Sequence, residues 1–110
     1  MNPFDIYHWQ PPGWPEPHPC VIVSNPDRAI RKNPVEVIMC STQHATRKAA
    51  PHEVILDEAD GLDWPTICKC DLIYAAPKDE LKPRKGRVTD TRQAPLVRTM
   101  IAAHGWAAVL

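Results

Sequence analysis

Short apolar runs rich in β-branched residues alternate along the chain with polar connections that carry proline or glycine. This pattern is typical of a chain built from short β-strands. It predicts strands at residues 4–9, 20–24, 35–41, 53–57, 66–74 and 85–88. The run at 66–74 is apolar on both faces, which predicts a central strand.

The C-terminal part of the chain changes to a helical period. Apolar residues recur there at a spacing that forms one helix face: Leu96, Val97, Met100 and Ile101. Thr89 or Thr91 is a suitable N-cap for a helix over about 91–104, and Gly105 is a suitable stop. The remaining residues, 106–110, either extend a partner surface or pack into the core.

Many short strands followed by one helix predict a mainly β fold with a C-terminal helix. We expect a small, strongly bent antiparallel sheet or partial barrel of the SH3-like type, with the helix packed on it. The 110 residues are expected to form a single domain, 1–110. Five prolines between Pro11 and Pro19 predict a stiff loop at 10–19.

Charge alone does not identify a partner, because 13 Lys and Arg balance 13 Asp and Glu. This balance weakens any nucleic-acid hypothesis that rests on net charge. The distribution is uneven, since residues 28–48 and 82–87 are mainly basic whereas 53–63 are acidic. A local basic surface is therefore possible, and ordinary solvated loops are the alternative.

No apolar run approaches the roughly 20 residues that a membrane-spanning helix needs. The N-terminus lacks a basic region followed by an apolar core, so we expect a cytoplasmic protein without a membrane partner. The four cysteines are expected to be reduced and buried. Cys68 and Cys70 are spaced too tightly for a zinc knuckle and phosphate-loop fingerprints are absent, so we expect neither metal nor cofactor.

Cleavage of RNA by its own 2′-hydroxyl requires a base, an acid and a cation for the phosphorane. Lys69 and Asp71 are two residues apart on a predicted strand and would share a face, either as phosphate-binding cation and ionised carboxylate or as a surface ion pair. The Ser41 and Thr42 hydroxyls can donate to a phosphate or bond locally to the backbone. Trp14 can stack on an unpaired base or cover the core.

The order of five motifs resembles the MazF/PemK (Kid) family of toxins over about residues 3–105. The matching segments are residues 19–24, 41–43, 52–56, 69–71 and 86–88. This resemblance implies a metal-independent endoribonuclease that cleaves single-stranded RNA, acts as a homodimer and is neutralised by a cognate antitoxin. It also implies a groove at the dimer interface, beside the loop between the first two strands.

We expect proton transfer and charge stabilisation by His18, whose position is catalytic in relatives, and by Lys69 and Asp71. RNA and phosphate binding fall to Trp14, Ser41, Thr42, Gln43, Arg47 and Lys48. One position departs from the family pattern, since His18 precedes Pro19 where relatives usually have a catalytic Arg. Histidine is suited to acid or base work because its ordinary pKa is near neutrality, at roughly 6.5.

Two other functions fit the same fold. The departure at His18 and the zero net charge are compatible with a non-enzymatic barrel that binds a protein or nucleic acid in its groove. A toxin directed at a protein such as a topoisomerase, as in the fold-related CcdB proteins, is the third possibility. RNA cleavage distinguishes the first function from both alternatives.

Overall fold

The computed structural model describes residues 1–110. Seven strands and two α-helices follow one another as β1 Asp5–Trp9, β2 His18–Ile22, α1 Pro26–Arg31, β3 Val35–Met39, β4 Glu53–Leu56, β5 Thr66–Lys69, β6 Tyr74–Ala76, β7 Gly86–Arg87 and α2 Asp90–Ala103. Short 3-10 turns lie at Glu58–Asp60, Lys78–Glu80 and Trp106–Val109. No helix has the length and apolar character needed to span a bilayer.

The strands form two antiparallel sheets. One sheet has five strands in the order β6-β3-β2-β1-β7, and the other is a ribbon of β4 and β5. A single isolated β-bridge, formed by the backbones of Cys40 and Cys68, joins the end of β3 to β5. The predicted mainly β fold with a C-terminal helix is confirmed, and the SH3-like barrel remains a prediction that this arrangement accommodates.

The prediction of one central strand at 66–74 was wrong. β5 ends at Lys69 and pairs with β4, whereas β6 begins at Tyr74 and pairs with β3 in the other sheet. Between them the Cys70 N–H donates to the His52 carbonyl at 2.9 Å, and the chain then bends away from the ribbon. Both halves bury apolar side chains, so their pattern does not reveal that the chain changes sheets.

Alternate residues along the strands divide between two apolar clusters. One contains Ile6, Val21 and Ile38, together with Leu96 and Met100 of α2. The other is formed mainly by residues that alternate with these: Trp9, Cys20, Ile22, Ala29, Val35, Val37, Met39 and Ala76. Burying a side chain such as Leu96 contributes about 2 kcal/mol to stability.

Helix α2 buries less of its surface than the apolar spacing predicts. Leu96 and Met100 pack on the core, but Val97 is 39% exposed. The segment after the helix stays outside the core, since Trp106 is 45% and Leu110 89% exposed.

The start of α2 is held by a carboxylate rather than by a threonine. Thr89 occupies the N-cap position, but its hydroxyl makes no capping bond. Instead the Thr89 N–H donates to the buried Asp60 carboxylate at 2.9 Å. Arg92 of the first turn donates to the same carboxylate and to Asp57. This cluster connects the turn at Glu58–Asp60 to the helix.

Candidate active site

His18 is the first residue of β2, and its ring orientation is set by a backbone carbonyl. Its Nδ1 lies 3.0 Å from the carbonyl oxygen of Cys40. Because a carbonyl only accepts hydrogen bonds, Nδ1 must carry the hydrogen. The neutral ring therefore keeps Nε2 free to accept a proton. Trp14 packs edge-on against the ring at a centroid distance of 4.8 Å and an angle of 86°, which further limits its rotation.

Two adjoining depressions bring together groups from β2, β3, β5 and β6 and from the loops that follow β1, β3 and β5. The first, of about 210 Å³, is lined by Trp14, His18, Met39, Cys40, Ser41 and Lys69. The second, of about 360 Å³, is lined by Trp14, Met39, Lys69, Asp71, Leu72 and Tyr74. Lys69 and Trp14 border both, so all three predicted catalytic residues surround one continuous concave surface.

The strand prediction implied that Lys69 and Asp71 are neighbours on one face, but the structure does not pair them. Lys69 is the last residue of β5, and Asp71 lies in the bend that follows. Both are exposed, and neither takes part in any ion pair. The two-residue alternation holds only within a strand, and here the strand ends between the two residues. Their charged groups are therefore free to contact a ligand in the depression.

The segment after β3 forms the adjacent wall. The Ser41 N–H donates to the Ile67 carbonyl at 2.8 Å, and the Ser41 hydroxyl accepts from the Gln43 N–H at 3.1 Å. The Thr42 hydroxyl donates to the Glu16 carboxylate of the β1–β2 loop at 3.1 Å. Ser41 thus faces the site with its hydroxyl hydrogen available to a ligand. The Thr42 hydroxyl becomes available only when Glu16 moves away.

The two basic residues of the β3–β4 loop differ in their surroundings. Arg47 donates to both carboxylate oxygens of Glu53, at 2.7 and 3.0 Å. These bonds, together with the Ala50 N–H, lower the pKa of Glu53 to about 2. Arg47 has a structural partner, and its phosphate-binding role remains a prediction. Lys48 is exposed and borders neither depression.

Sequence reasoning missed three groups that shape this site. The Cys40 carbonyl orients His18, Glu16 binds Thr42, and Glu53 holds Arg47. None had a sequence signal, because each contact depends on strand register or loop conformation. The four cysteines are unpaired and buried, and the structure contains no group of three or more side chains arranged to hold a metal ion.

Residues 3–103 match the family described as PemK-like, MazF-like toxin of type II toxin–antitoxin system. A solved structure of an endoribonuclease in complex with its cognate antitoxin, from Mycobacterial species, is 25% identical with a TM-score of 0.81, covering 96% of this chain and 95% of that one. The Mycobacterium tuberculosis toxin MazF-mt6 shares the fold, with a TM-score of 0.77 at 21% identity and coverage of 92% and 96%. No curated protein matches the chain.

Proposed function

Because the chain belongs to the PemK-like, MazF-like toxin family of type II toxin–antitoxin systems, we propose that it is a metal-independent endoribonuclease. It cleaves single-stranded RNA by attack of a ribose 2′-hydroxyl on the adjacent phosphate. The observation that carries this proposal is that His18 and Lys69, from different sheets, line one depression with the Ser41 hydroxyl on its wall. The reaction needs a base, which His18 provides, and a cation and an acid, which Lys69 provides together; Ser41 adds a hydrogen-bond donor.

His18 acts as the general base in this mechanism. Its Nε2 accepts the 2′ proton, because the Cys40 carbonyl keeps the hydrogen on Nδ1. The resulting imidazolium is stabilised by its short bond to that carbonyl. The Cys40 carbonyl thus orients the histidine base, a role that an Asp or Glu carboxylate has in other active sites.

Lys69 stabilises the charge that develops on the phosphorane and donates a proton to the leaving 5′ oxygen. The products are a 2′,3′-cyclic phosphate and a 5′-hydroxyl. Asp71, which lines the second depression together with Lys69, accepts a hydrogen bond from the Lys69 ammonium in the RNA complex and orients it for this proton transfer. Ser41 donates to a phosphate oxygen.

The partners follow from the same family. We propose a cognate antitoxin as the inhibitory partner, because the similar mycobacterial endoribonuclease is described in complex with its own antitoxin. We also propose a homodimer, whose second copy would extend the groove beside the β1–β2 loop.

A second function, RNA or protein binding without cleavage, is favoured by one observation. Lys69 is the only Lys or Arg that borders the two depressions, whereas Arg47 is held by Glu53 and the Thr42 hydroxyl by Glu16. Such a site has less positive charge than a phosphorane-stabilising site with an additional arginine. The cleavage assay below distinguishes this alternative.

The test is cleavage of long single-stranded RNA by purified protein in the presence of EDTA. We expect discrete fragments that end in 2′,3′-cyclic phosphate. His18→Ala should lower the cleavage rate by at least about 100-fold, the usual contribution of a proton-transfer group. Asp71→Ala, which removes the carboxylate that orients Lys69, should also lower it. Matched controls are His52→Ala and Asp79→Ala, which remove the same groups outside the depressions.

Circular dichroism and size-exclusion chromatography establish that each variant is folded. Intact RNA after incubation with folded wild-type protein would refute the endoribonuclease proposal and support the binding function. Cleavage that survives both His18→Ala and Asp71→Ala would instead refute the assignment of these residues.

A further inference from the structure

A third pocket lies on the other side of Ser41 and Thr42 from His18. It has a volume of about 210 Å³, and its remaining walls are His8, Pro19, Leu62, Asp63, Trp64, Thr66 and Lys85. His8 pairs with Pro19 across β1 and β2. Since neighbouring residues on a strand point to opposite faces, Pro19 faces this pocket while His18 faces the candidate active site.

The pocket contains an aromatic surface without an aromatic partner. Trp64 is 41% exposed and, unlike Trp9, Trp14 and Trp106, packs against no other ring. Its backbone is held, because its carbonyl accepts the Thr66 hydroxyl at 2.8 Å. A partly exposed indole on a held backbone provides a stacking surface for an unpaired base.

The polar groups of the pocket fit a nucleotide better than a peptide side chain. Burial, assisted by the neighbouring Lys85 ammonium, lowers the pKa of His8, so its ring is neutral at pH 7 and presents one donor and one acceptor. Lys85 Nζ lies 2.9 Å from Asp63, whose side chain is 65% exposed. The Lys85 side chain is only 28% exposed and stays in the pocket wall, whereas the exposed Asp63 can move away, so a phosphate can replace Asp63 as the partner of Lys85. Only two of the nine lining residues are hydrophobic.

We propose that this pocket, hereafter the Trp64 pocket, binds one nucleobase of the RNA substrate beside the scissile phosphate and thereby contributes to the choice of cleavage sequence. The inference rests on the proposed function, because the ligand is the RNA of that reaction. Ser41 is the link, since it borders both this pocket and the His18 depression. The base stacks on Trp64, its edge bonds to His8, and an adjoining phosphate binds Lys85.

The first experiment measures binding rather than cleavage. A fluorescein-labelled single-stranded RNA that contains all four bases is titrated, in EDTA, into the Asp71→Ala protein. Adding Trp64→Ala should weaken binding by about 5- to 100-fold, as expected for loss of one stacked base. Trp64→Phe should retain most of the affinity. Trp106→Ala, which removes an indole of similar exposure elsewhere, should change nothing.

A second variant keeps the test independent of any folding defect in Trp64→Ala. Lys85→Gln should reduce the steepness of log K against log salt concentration by about 0.7, the value for one single-strand phosphate contact. In the otherwise native protein, Trp64→Ala should also raise KM with little change in kcat and relax base preference at one position near the cut.

The outcomes separate this inference from the proposed function. If the native protein cleaves RNA and Trp64→Ala keeps its affinity and cut sites, the pocket assignment is wrong and the endoribonuclease stands. If RNA stays intact but its binding depends on Trp64 and Lys85, the pocket stands and the cleavage proposal is wrong. Absence of RNA binding by folded protein overturns both.

Discussion

The buried Asp60 carboxylate offers the most direct test of how this fold is held together. Its side chain is fully buried and accepts three hydrogen bonds, from the backbone N–H groups of Asp57 and Thr89 and from the Arg92 guanidinium. We predict that Asp60→Ala strongly destabilises the protein. Two backbone donors lose their partner, and Arg92 keeps only its bonds to Asp57.

The expected size follows from these contacts. Each backbone donor left unpaired costs about 1–3 kcal/mol, so the loss of both partners should cost about 4 kcal/mol in total. Urea denaturation followed by circular dichroism measures this directly. With an m-value of about 1.5–2 kcal/mol/M, the midpoint should fall by about 2 M.

Glu58→Gln is the matched control, because Glu58 lies in the same turn, is exposed and makes no side-chain hydrogen bond. It should change stability by less than about 0.5 kcal/mol. Asp60→Asn should be intermediate, since an amide keeps one acceptor oxygen for the two backbone donors but loses the charge that faces Arg92. If Asp60→Ala is as stable as Glu58→Gln, then Asp60 does not connect the turn to α2.

Three further predictions follow from other contacts. The bonds from Arg47 lower the pKa of Glu53 from 4.5 to about 2, so Glu53 stabilises the fold above pH 4.5 and this contribution disappears as the pH falls toward 2. Urea titrations from pH 6 to pH 2 should show this loss of stability in the wild type and not in Glu53→Gln. Equal pH profiles for the two proteins would contradict the prediction. Gly86→Ala should destabilise the protein by about 3 kcal/mol or more, because the new Cβ would overlap the Asp60 carbonyl oxygen; a wild-type thermal midpoint would exclude that close approach. Burial raises the pKa of Cys20 to about 12, so iodoacetamide at pH 8 should label this thiol only after urea unfolding. Mass spectrometry measures the labelling, and rapid labelling of the folded protein would contradict this burial.

The sequence predicted the strands whose signal is local. The β-branched apolar runs at 20–24 and 35–41 correspond to β2 and β3, because such runs have few alternatives to a buried strand. The run at 66–74 failed for a non-local reason. Whether a chain continues in one sheet or crosses to another depends on which partner strand is available, and a single sequence does not contain that information.

The candidate site could likewise be predicted only in part from the sequence. Motif order singled out His18, Lys69 and Asp71, and all three border one concave surface. The bond from His18 to the Cys40 carbonyl depends on the register of β2 and β3, which composition does not specify. The Arg47–Glu53 pair likewise depends on how the β3–β4 loop closes, so a basic loop residue was interpreted as a phosphate ligand without knowledge of its acidic neighbour.

The division of the chain into two sheets has a consequence for how activity is lost. His18 belongs to the five-stranded sheet and Lys69 to the β4–β5 ribbon, and these are joined near the site by the Cys40–Cys68 bridge. The separation of His18 and Lys69 is therefore determined by side-chain packing and a few backbone hydrogen bonds, such as that from the Ser41 N–H to the Ile67 carbonyl, rather than by a continuous ladder. Conditions that loosen packing but preserve strands, as in a molten globule, would move the two groups apart. The proposed ribonuclease activity should consequently vanish at a lower denaturant concentration than the far-ultraviolet signal of the sheets.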